Sequence, residues 1–328
     1  MVKVKAVVVE RYGGPEVLTL QERELKPLAS GEALIRIAMI GVSYADIYWR
    51  TGFDPQPLPL VPGLEASGVV EAVAPDVAHV KPGDRVAFAR QPGAYAEACV
   101  VPADSLIRLP DDFSFELGAA GFAHGMTAHY LLHEYRKPSP GDFVLIHAAD
   151  GSMGLLLVQW ARHLGAHVIG SVSSAEKAEA ARQAGAHDAI VFTEQDFVAE
   201  TRRLTNGHGA DIIIDGVGKA TFNGNMRAAA LRGHIVIYGA ASGPAEPISP
   251  NALMKRSLSL SGGDLRHFIM SREEMLRRAN EVIKGLRSGW LKERIFRVLP
   301  LAEAAEAHRL LEGRQTIGKV LLSTGAVR

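Results

Sequence analysis

Cysteine is all but missing from this chain. The single thiol, Cys99, excludes an intrachain disulfide and any thiolate zinc cluster, and a reducing, cytoplasmic setting is expected. An excess of charge of one sign is missing too, since 36 basic residues face 36 acidic ones. Such a balance gives no field for holding a polyanion, so no nucleic acid and no anionic membrane is expected as a main partner. The start, Met1-Val2-Lys3-Val4-Lys5, alternates like a strand and lacks the apolar core of a signal peptide. No run approaches the roughly 20 apolar residues of a membrane span. A Gly-x-Ser-x-Gly elbow is absent, and Cys99 lies in a predicted strand with no evident base, so hydrolytic chemistry finds no support.

What is present reads as an ordinary globular protein, 47% apolar and 22% charged. Its 328 residues are long for one core, so two domains are expected. Eleven of the seventeen prolines fall in the first 125 residues. That part reads as short strands broken by turns, at Ala33–Ile40, Gly68–Val73, Arg85–Ala89 and Ala94–Val101, and predicts a small all-β barrel over 1–125. Over 126–262, strands at 143–148, 166–172, 188–192, 211–215, 234–239 and 257–261 alternate with helical patterns. This predicts an α/β fold with a Rossmann doubly wound parallel sheet. In 263–328, one helix opens at the capping box Ser271-x-x-Glu274 and runs to about Arg287, and another covers 301–312. A last strand, Gly318–Ser323, follows, and the tail is expected to return to the first domain.

The organising stretch is Phe143-Val144-Leu145-Ile146-His147-Ala148-Ala149-Asp150-Gly151-Ser152-Met153-Gly154, with a helical run to Leu164. A buried strand, a turn and a helix are expected there. Ala149, Gly151 and Gly154 stand where a dinucleotide turn needs small residues, and Ser152 and Met153 open a helix whose N–H groups suit a phosphate. A plain βα turn has the same pattern, and Asp150 adds negative charge. In such folds an acid about 20 residues beyond the glycines holds the adenosine ribose of NAD. Here the second strand ends at Ser171-Val172-Ser173-Ser174, with Lys177 next. Hydroxyls and a cation without an acid suit the 2′-phosphate of NADPH over NADH. Alternatively, Ser173-x-x-Glu176 is a capping box and Lys177 a solvated helix residue. Gly216 and Val217 follow the fourth strand, and Tyr238, Gly239 and Ala240 the fifth. They border the cofactor or serve as simple turns.

Taken together, the chain resembles the zinc-independent medium-chain dehydrogenase/reductases, most closely the NADPH:quinone oxidoreductases of the zeta-crystallin type. The resemblance is carried by Gly13-Gly14-Pro15-Glu16-Val17-Leu18, Gly41-Val42-Ser43-Tyr44-Ala45-Asp46 with Arg50 and Gly52, and Pro62-Gly63-Leu64-Glu65. It continues through Lys81-Pro82-Gly83-Asp84-Arg85-Val86, Gly93-Ala94-Tyr95-Ala96-Glu97, Gly125-Met126-Thr127-Ala128, the turn at 149–154 and Gly318-Lys319. It implies a GroES-like barrel domain closed around a Rossmann domain with the cofactor in the cleft, and commonly a homodimer paired through the edge of the nucleotide-binding sheet. It also brings Phe192 and Lys319 into the cofactor-binding set.

The zinc branch of this superfamily ligates metal with Cys and His at places matching Ser43 and Leu64, neither of which is a usable ligand. Without a Lewis acid, reduction of an electrophilic acceptor is easier than oxidation of an alcohol. The expected activity is NADPH-dependent reduction of a quinone. The alternatives are reduction of an α,β-unsaturated carbonyl (an enone), or a non-catalytic, NADPH-binding structural or RNA-binding role. Ser43 and Tyr48 lie at family positions lining the nicotinamide and substrate pocket. Tyr48 is the candidate donor to the reduced oxygen, or else an aromatic filling the domain interface. Thr127 is expected at a helix start facing the cleft, as a partner of a phosphate or of the nicotinamide amide. Asp46 and Arg50, four apart, read as a helix salt bridge. His129 and His133 read as residues of a surface helix, His147 as a packed histidine, and His124 as a residue that either faces the cleft or does not. Departures from the family pattern are Ser43 for Asn, Asp150 for Ala, Phe192-Thr193 for Tyr-Arg, and Gly262-Gly263 for Arg-Pro, which could loosen the pocket mouth.

Overall fold

A computed structural model describes residues 3–327. In chain order the elements begin with β1 (Lys3–Val9), β2 (Leu18–Glu24), β3 (Glu32–Gly41), α1 (Tyr44–Thr51), β4 (Glu65–Val73), β5 (Arg85–Ala89), β6 (Ala98–Pro102), β7 (Ile107–Arg108) and α2 (Phe115–His133). There follow β8 (Phe143–His147), α3 (Ser152–His163), β9 (His167–Val172), α4 (Ala175–Ala184), β10 (Asp188–Val191), α5 (Phe197–Leu204), β11 (Ala210–Asp215), α6 (Phe222–Ala228), β12 (Ala229–Ile237) and β13 (Ser259–Gly262). The chain closes with α7 (Arg272–Arg287), β14 (Ile295–Pro300), α8 (Ala304–Glu312) and β15 (Lys319–Ser323). Two compact units form. The first takes the described residues up to Ala123, Ile269–Ala279 and those from Ile295 on, and the second takes His124–Phe268 and Asn280–Arg294.

In the first unit β3 is the hub, pairing antiparallel with β4, β6 and β15. The sheet order is β14-β15-β3-β4-β5-β7, and β1 and β2 form their own antiparallel pair. Ile35, Ile37 and Ile40 of β3 pack with Val86, Phe88, Leu106, Val320 and Leu322 in one core. Burying each such aliphatic side chain contributes about 1.5–3 kcal/mol. Strand β15 lies between β14 and β3 in this sheet and belongs to the first unit.

The second unit holds a six-stranded parallel sheet in the order β10-β9-β8-β11-β12-β13. This is the doubly wound order that the alternation of strands and helices predicts, with the switch point between β8 and β11. The central strands are near-continuous apolar runs: all six residues of β11 are buried, as parallel strands covered by helices on both faces require. Ligands of such sheets bind beyond the carboxyl ends of the strands near the switch point, which places the 148–154, 173–177 and 216–218 segments at the functional end.

Two local expectations fail. Thr127 does not start a helix; it lies well inside α2, because the apolar run from Phe115 onward carries the helix past the expected boundary. His129 and His133 are not on a surface face. His129 is buried, the two rings stack at 4.4 Å, and both meet Trp160 edge-on at 5.7 and 5.8 Å. Their spacing reflects aromatic packing.

Candidate cofactor and active site

The turn after β8 is built for close approach. Ala148 takes a left-handed φ of 50°, and the N–H of Gly151 donates to its carbonyl at 3.0 Å. A Cβ added at Gly154 would overlap the Ala148 carbonyl oxygen and press on Cα of Ala149 at 2.7 Å, so only glycine lets α3 start this near the strand. Ala149 is fully buried, under Gly170 of β9. Gly151 is the N-cap of α3, and no side chain caps that helix. Its neighbours differ: α4 is capped by Ser174 and α5 by Asp196. First-turn N–H groups at Ser152, Met153 and Gly154 with no side-chain cap, behind a turn without bulk, fit a pyrophosphate. The Ser152 hydroxyl lies 2.8 Å from Nδ1 of His124, which places His124 beside this turn.

The cap of α4 falls one residue later than the Ser173-x-x-Glu176 spacing predicts. Ser174 is the N-cap and its Oγ accepts the Lys177 N–H at 3.3 Å, whereas the carbonyl of Ser173 is held in the preceding loop by the Thr193 hydroxyl at 3.1 Å. Lys177 is not a solvated residue. Its ammonium meets Asp150 Oδ2 at 2.8 Å, with side chains 12% and 7% exposed. Phe192, at the end of β10, donates its N–H to Val172 and leaves its ring exposed.

Beyond β11, the turn at 216–218 is fixed by a satisfied buried carboxylate. Asp215 Oδ1 accepts the N–H groups of Val217 (2.7 Å) and Gly218 (3.2 Å), and Oδ2 accepts the Thr221 hydroxyl (2.6 Å) and Asn225 Nδ2 (2.6 Å). Asn225 Oδ1 in turn accepts Nε2–H of His147 at 2.7 Å, and burial holds the His147 pKa below its usual value. A neutral histidine therefore backs the turn from inside the sheet, in line with the packed role expected of it. Tyr238 lies against Gly216, where a Cβ would come 2.6 Å from the ring, and a Cβ at Gly239 would come 2.9 Å from the Gly216 carbonyl oxygen. Gly216, Val217, Tyr238, Gly239 and Ala240 thus share the end of the sheet with the 149–154 turn.

The double glycine after β13 is clamped, not loose. The Tyr135 hydroxyl donates to the Gly262 carbonyl at 2.6 Å and the Tyr130 hydroxyl to that of Gly263 at 3.0 Å. A side chain at Gly263 would overlap the Tyr135 hydroxyl.

In the first unit Ser43 precedes α1, and the Asp46 carboxylate accepts its N–H at 2.8 Å and its hydroxyl at 3.2 Å. The expected Asp46–Arg50 salt bridge does not form. Arg50, 1% exposed, turns to Glu312 of α8 instead, donating two bonds at 2.6 and 2.9 Å. Bidentate geometry with a carboxylate outcompetes an i, i+4 pairing along one helix. Arg50 also donates to His308 Nδ1 at 3.4 Å, which leaves the proton on Nε2 to reach the Tyr95 oxygen at 3.0 Å. The Tyr95 hydroxyl then faces Asp46 Oδ2 at 3.4 Å. Burial, opposed by the Ser43 bonds and reinforced by Glu65, pushes the Asp46 pKa up to about 7. Burial and the Arg50 charge push His308 down to about 3. Lys319 is buried with its ammonium on Glu65. Tyr48, half-buried, packs between Tyr44 (6.2 Å) and Phe53 (4.9 Å). Burial alone raises the Cys99 thiol to about 12, so it carries no nucleophilic chemistry.

Comparison with known proteins agrees with this geometry. Residues 29–111 match the alcohol dehydrogenase GroES-like domain family and residues 152–281 the zinc-binding dehydrogenase family. A quinone oxidoreductase of Pseudomonas aeruginosa is 38% identical, over 97% of this chain and 99% of its own. The chain belongs to the quinone oxidoreductase family. Within that family of oxidoreductases it is also 40% identical to a 2-haloacrylate reductase of a Burkholderia species, over 97% of this chain and 98% of the relative. The crystal structure of Escherichia coli quinone oxidoreductase complexed with NADPH superposes with a TM-score of 0.93 at 36% identity, covering 97% of this chain and 99% of that one. The GroES-like and Rossmann parts expected from the sequence are both present. Sequence reasoning missed Asp215, Asn225, Tyr95, His308 and Glu312 as supports. Asp215 closes a strand beside Gly216, a usable signal, but His308 and Glu312 have no local one.

Proposed function

We propose that this protein is an NADPH-dependent quinone reductase working without a metal. The observation that carries the reading is the 148–154 turn, a cradle that excludes a Cβ at Gly154 and opens onto a helix with no side-chain cap. Gly151, Ser152, Met153 and Gly154 hold the pyrophosphate, and Ser173, Ser174 and Lys177 face the adenosine side, with Phe192 beside them. Gly216, Val217, Tyr238, Gly239 and Ala240 line the path of the nucleotide, and Thr127 and Ser43 complete the set, whereas Lys319 is committed to Glu65 in the interior. NADPH bound there supplies a hydride. The chain's own part is positional and electrostatic. Tyr48 donates a hydrogen bond to the oxygen on which negative charge develops. Ser43, its hydroxyl held by Asp46, keeps a fixed orientation beside it. Zinc has no ligand at Ser43 or Leu64, so this oxyanion stabilisation falls to hydrogen-bond donors.

Steady-state turnover of 1,4-benzoquinone or 9,10-phenanthrenequinone with NADPH tests the reading, and a rate no higher than the uncatalysed one rejects it. Similarity to the 2-haloacrylate reductase favours a second substrate class, α,β-unsaturated carbonyl compounds, which accept hydride by the same conjugate logic. Specificity constants for quinones and enones decide between them. Nucleotide binding with neither class reduced would point to the non-catalytic role. A homodimer is part of the proposal, paired through β13. That strand ends the second unit's sheet, its outer edge carries no strand among the described residues, and Leu260 on it is 38% exposed.

A further inference from the structure

The segments that approach the adenosine end of a dinucleotide here are 147–154, 171–177 and 191–195. They contain one cation, Lys177, and three acids, Asp150, Glu176 and Glu194. That one cation is already occupied. Lys177 Nζ stands 2.8 Å from Asp150 Oδ2, and both side chains are nearly withdrawn from water. Lys177 sits in the first turn of α4, where the helix dipole disfavours a positive charge, so the carboxylate is what holds it there. Asp150 lies in the β8 turn itself, between Ala149 and Gly151, and is buried. Of the neighbouring hydroxyls, that of Ser174 accepts the Lys177 N–H and that of Thr193 donates to the Ser173 carbonyl.

We propose that Asp150 sets the nucleotide preference of this enzyme: NADPH serves as hydride donor, but by pairing with Lys177 the carboxylate cancels the charge that would select the 2′-phosphate, so that NADH is accepted about as readily. The inference rests on the cofactor site proposed above. A 2′-phosphate brings close to two negative charges. Beside a free lysine it gains charge-assisted hydrogen bonds, but beside a lysine–aspartate pair it meets a neutral couple and must either displace the carboxylate or lie against it. NADH, with hydroxyls in that place, meets no such opposition.

The test is equilibrium titration of wild type and Asp150→Asn with NADPH and with NADH, followed by energy transfer from tryptophan to the reduced nicotinamide. Wild type is expected to bind the two nucleotides with similar Kd. In Asp150→Asn, the NADPH Kd is expected to fall about 10–100-fold, the range of a hydrogen bond to a charged group, with NADH nearly unchanged. Adding Lys177→Ala to Asp150→Asn should abolish that gain. Asp150→Ala serves as the second variant if the asparagine form fails to fold. Tight, NADPH-selective binding by wild type that Asp150→Asn does not alter would overturn the selector while leaving the cofactor site standing, as would equal shifts for both nucleotides. Wild type that binds neither would overturn both.

Discussion

Asp46 is a carboxyl group removed from water beside Ser43, and its neighbours do not fully compensate it: Oδ1 has no hydrogen-bond partner among the described residues. Its pKa rises from 3.8 to about 7, chiefly through burial. A raised folded-state value means that its contribution to stability is complete below about pH 4 and is lost as pH climbs through about 7. Asp46→Asn keeps an acceptor for the Ser43 N–H and cannot ionise. Relative to wild type it should therefore gain on the order of 2–4 kcal/mol between about pH 4 and pH 8, read from denaturant midpoints across that range. Parallel pH profiles for the two proteins would refute this. His308 works in the opposite direction. Its value is lowered to about 3, so its contribution is present above the ordinary 6.5 and lost as pH falls toward 3. The two groups meet through Tyr95, and between about pH 4 and 6.5 their contributions change in opposite senses, so residues of one hydrogen-bonded chain offset each other's pH dependence.

At the scale of elements, α3 and the turn before it carry the nucleotide argument. Gly154→Ala forces a methyl group into the Ala148 carbonyl, and overpacking of this kind costs about 1–3 kcal/mol. The helix must shift away from β8, so NADPH and NADH affinity should both drop at least about tenfold, the equivalent of about 1.4 kcal/mol, in a fluorescence titration. An alanine variant that binds as wild type does would show that the turn is not the cradle. This element was legible in the sequence because its signal is local: an apolar run for a doubly covered parallel strand, then small residues at fixed offsets. The β8, β9 and β11 strands could be read for the same reason. The support of α1 could not. Asp46 and Arg50 have ideal helical spacing for each other, yet Arg50 pairs with Glu312, 262 positions away, and no periodicity encodes a contact between two helices so far apart in the chain. Lys177 was readable as a cation but not as half of an ion pair, since Asp150 lies 27 residues earlier and only the pairing of β8 with β9 brings their ends together. Gly262-Gly263 reads as slack in sequence but has both carbonyls held, because the two hydroxyls that donate to them come from residues 130 and 135.

For the molecule as a whole, the open edge of β13 makes the oligomer testable. An exposed strand edge invites pairing with a second copy. Light scattering on the wild type should give twice the mass of one chain, and Leu260→Lys, which sets a charge in the middle of that edge, should give a monomer that still binds nucleotide. An unchanged mass for the variant, or a monomeric wild type, would remove this interface. Another property follows from two contacts between segments far apart in the sequence. Strand β3 is flanked by β15, and α1 is anchored by Arg50 to a residue near the carboxyl terminus. A ribosome adding about 5–20 residues per second leaves an interval on the order of half a minute between the emergence of these partners. During that time Arg50 has no counter-ion and one edge of β3 is bare, while the continuous stretch of Rossmann sheet is already complete. The nascent chain therefore completes its parallel sheet before the sheet around β3, and a stop codon between the end of β13 and Glu312 leaves the former without β15 and without the partner of Arg50.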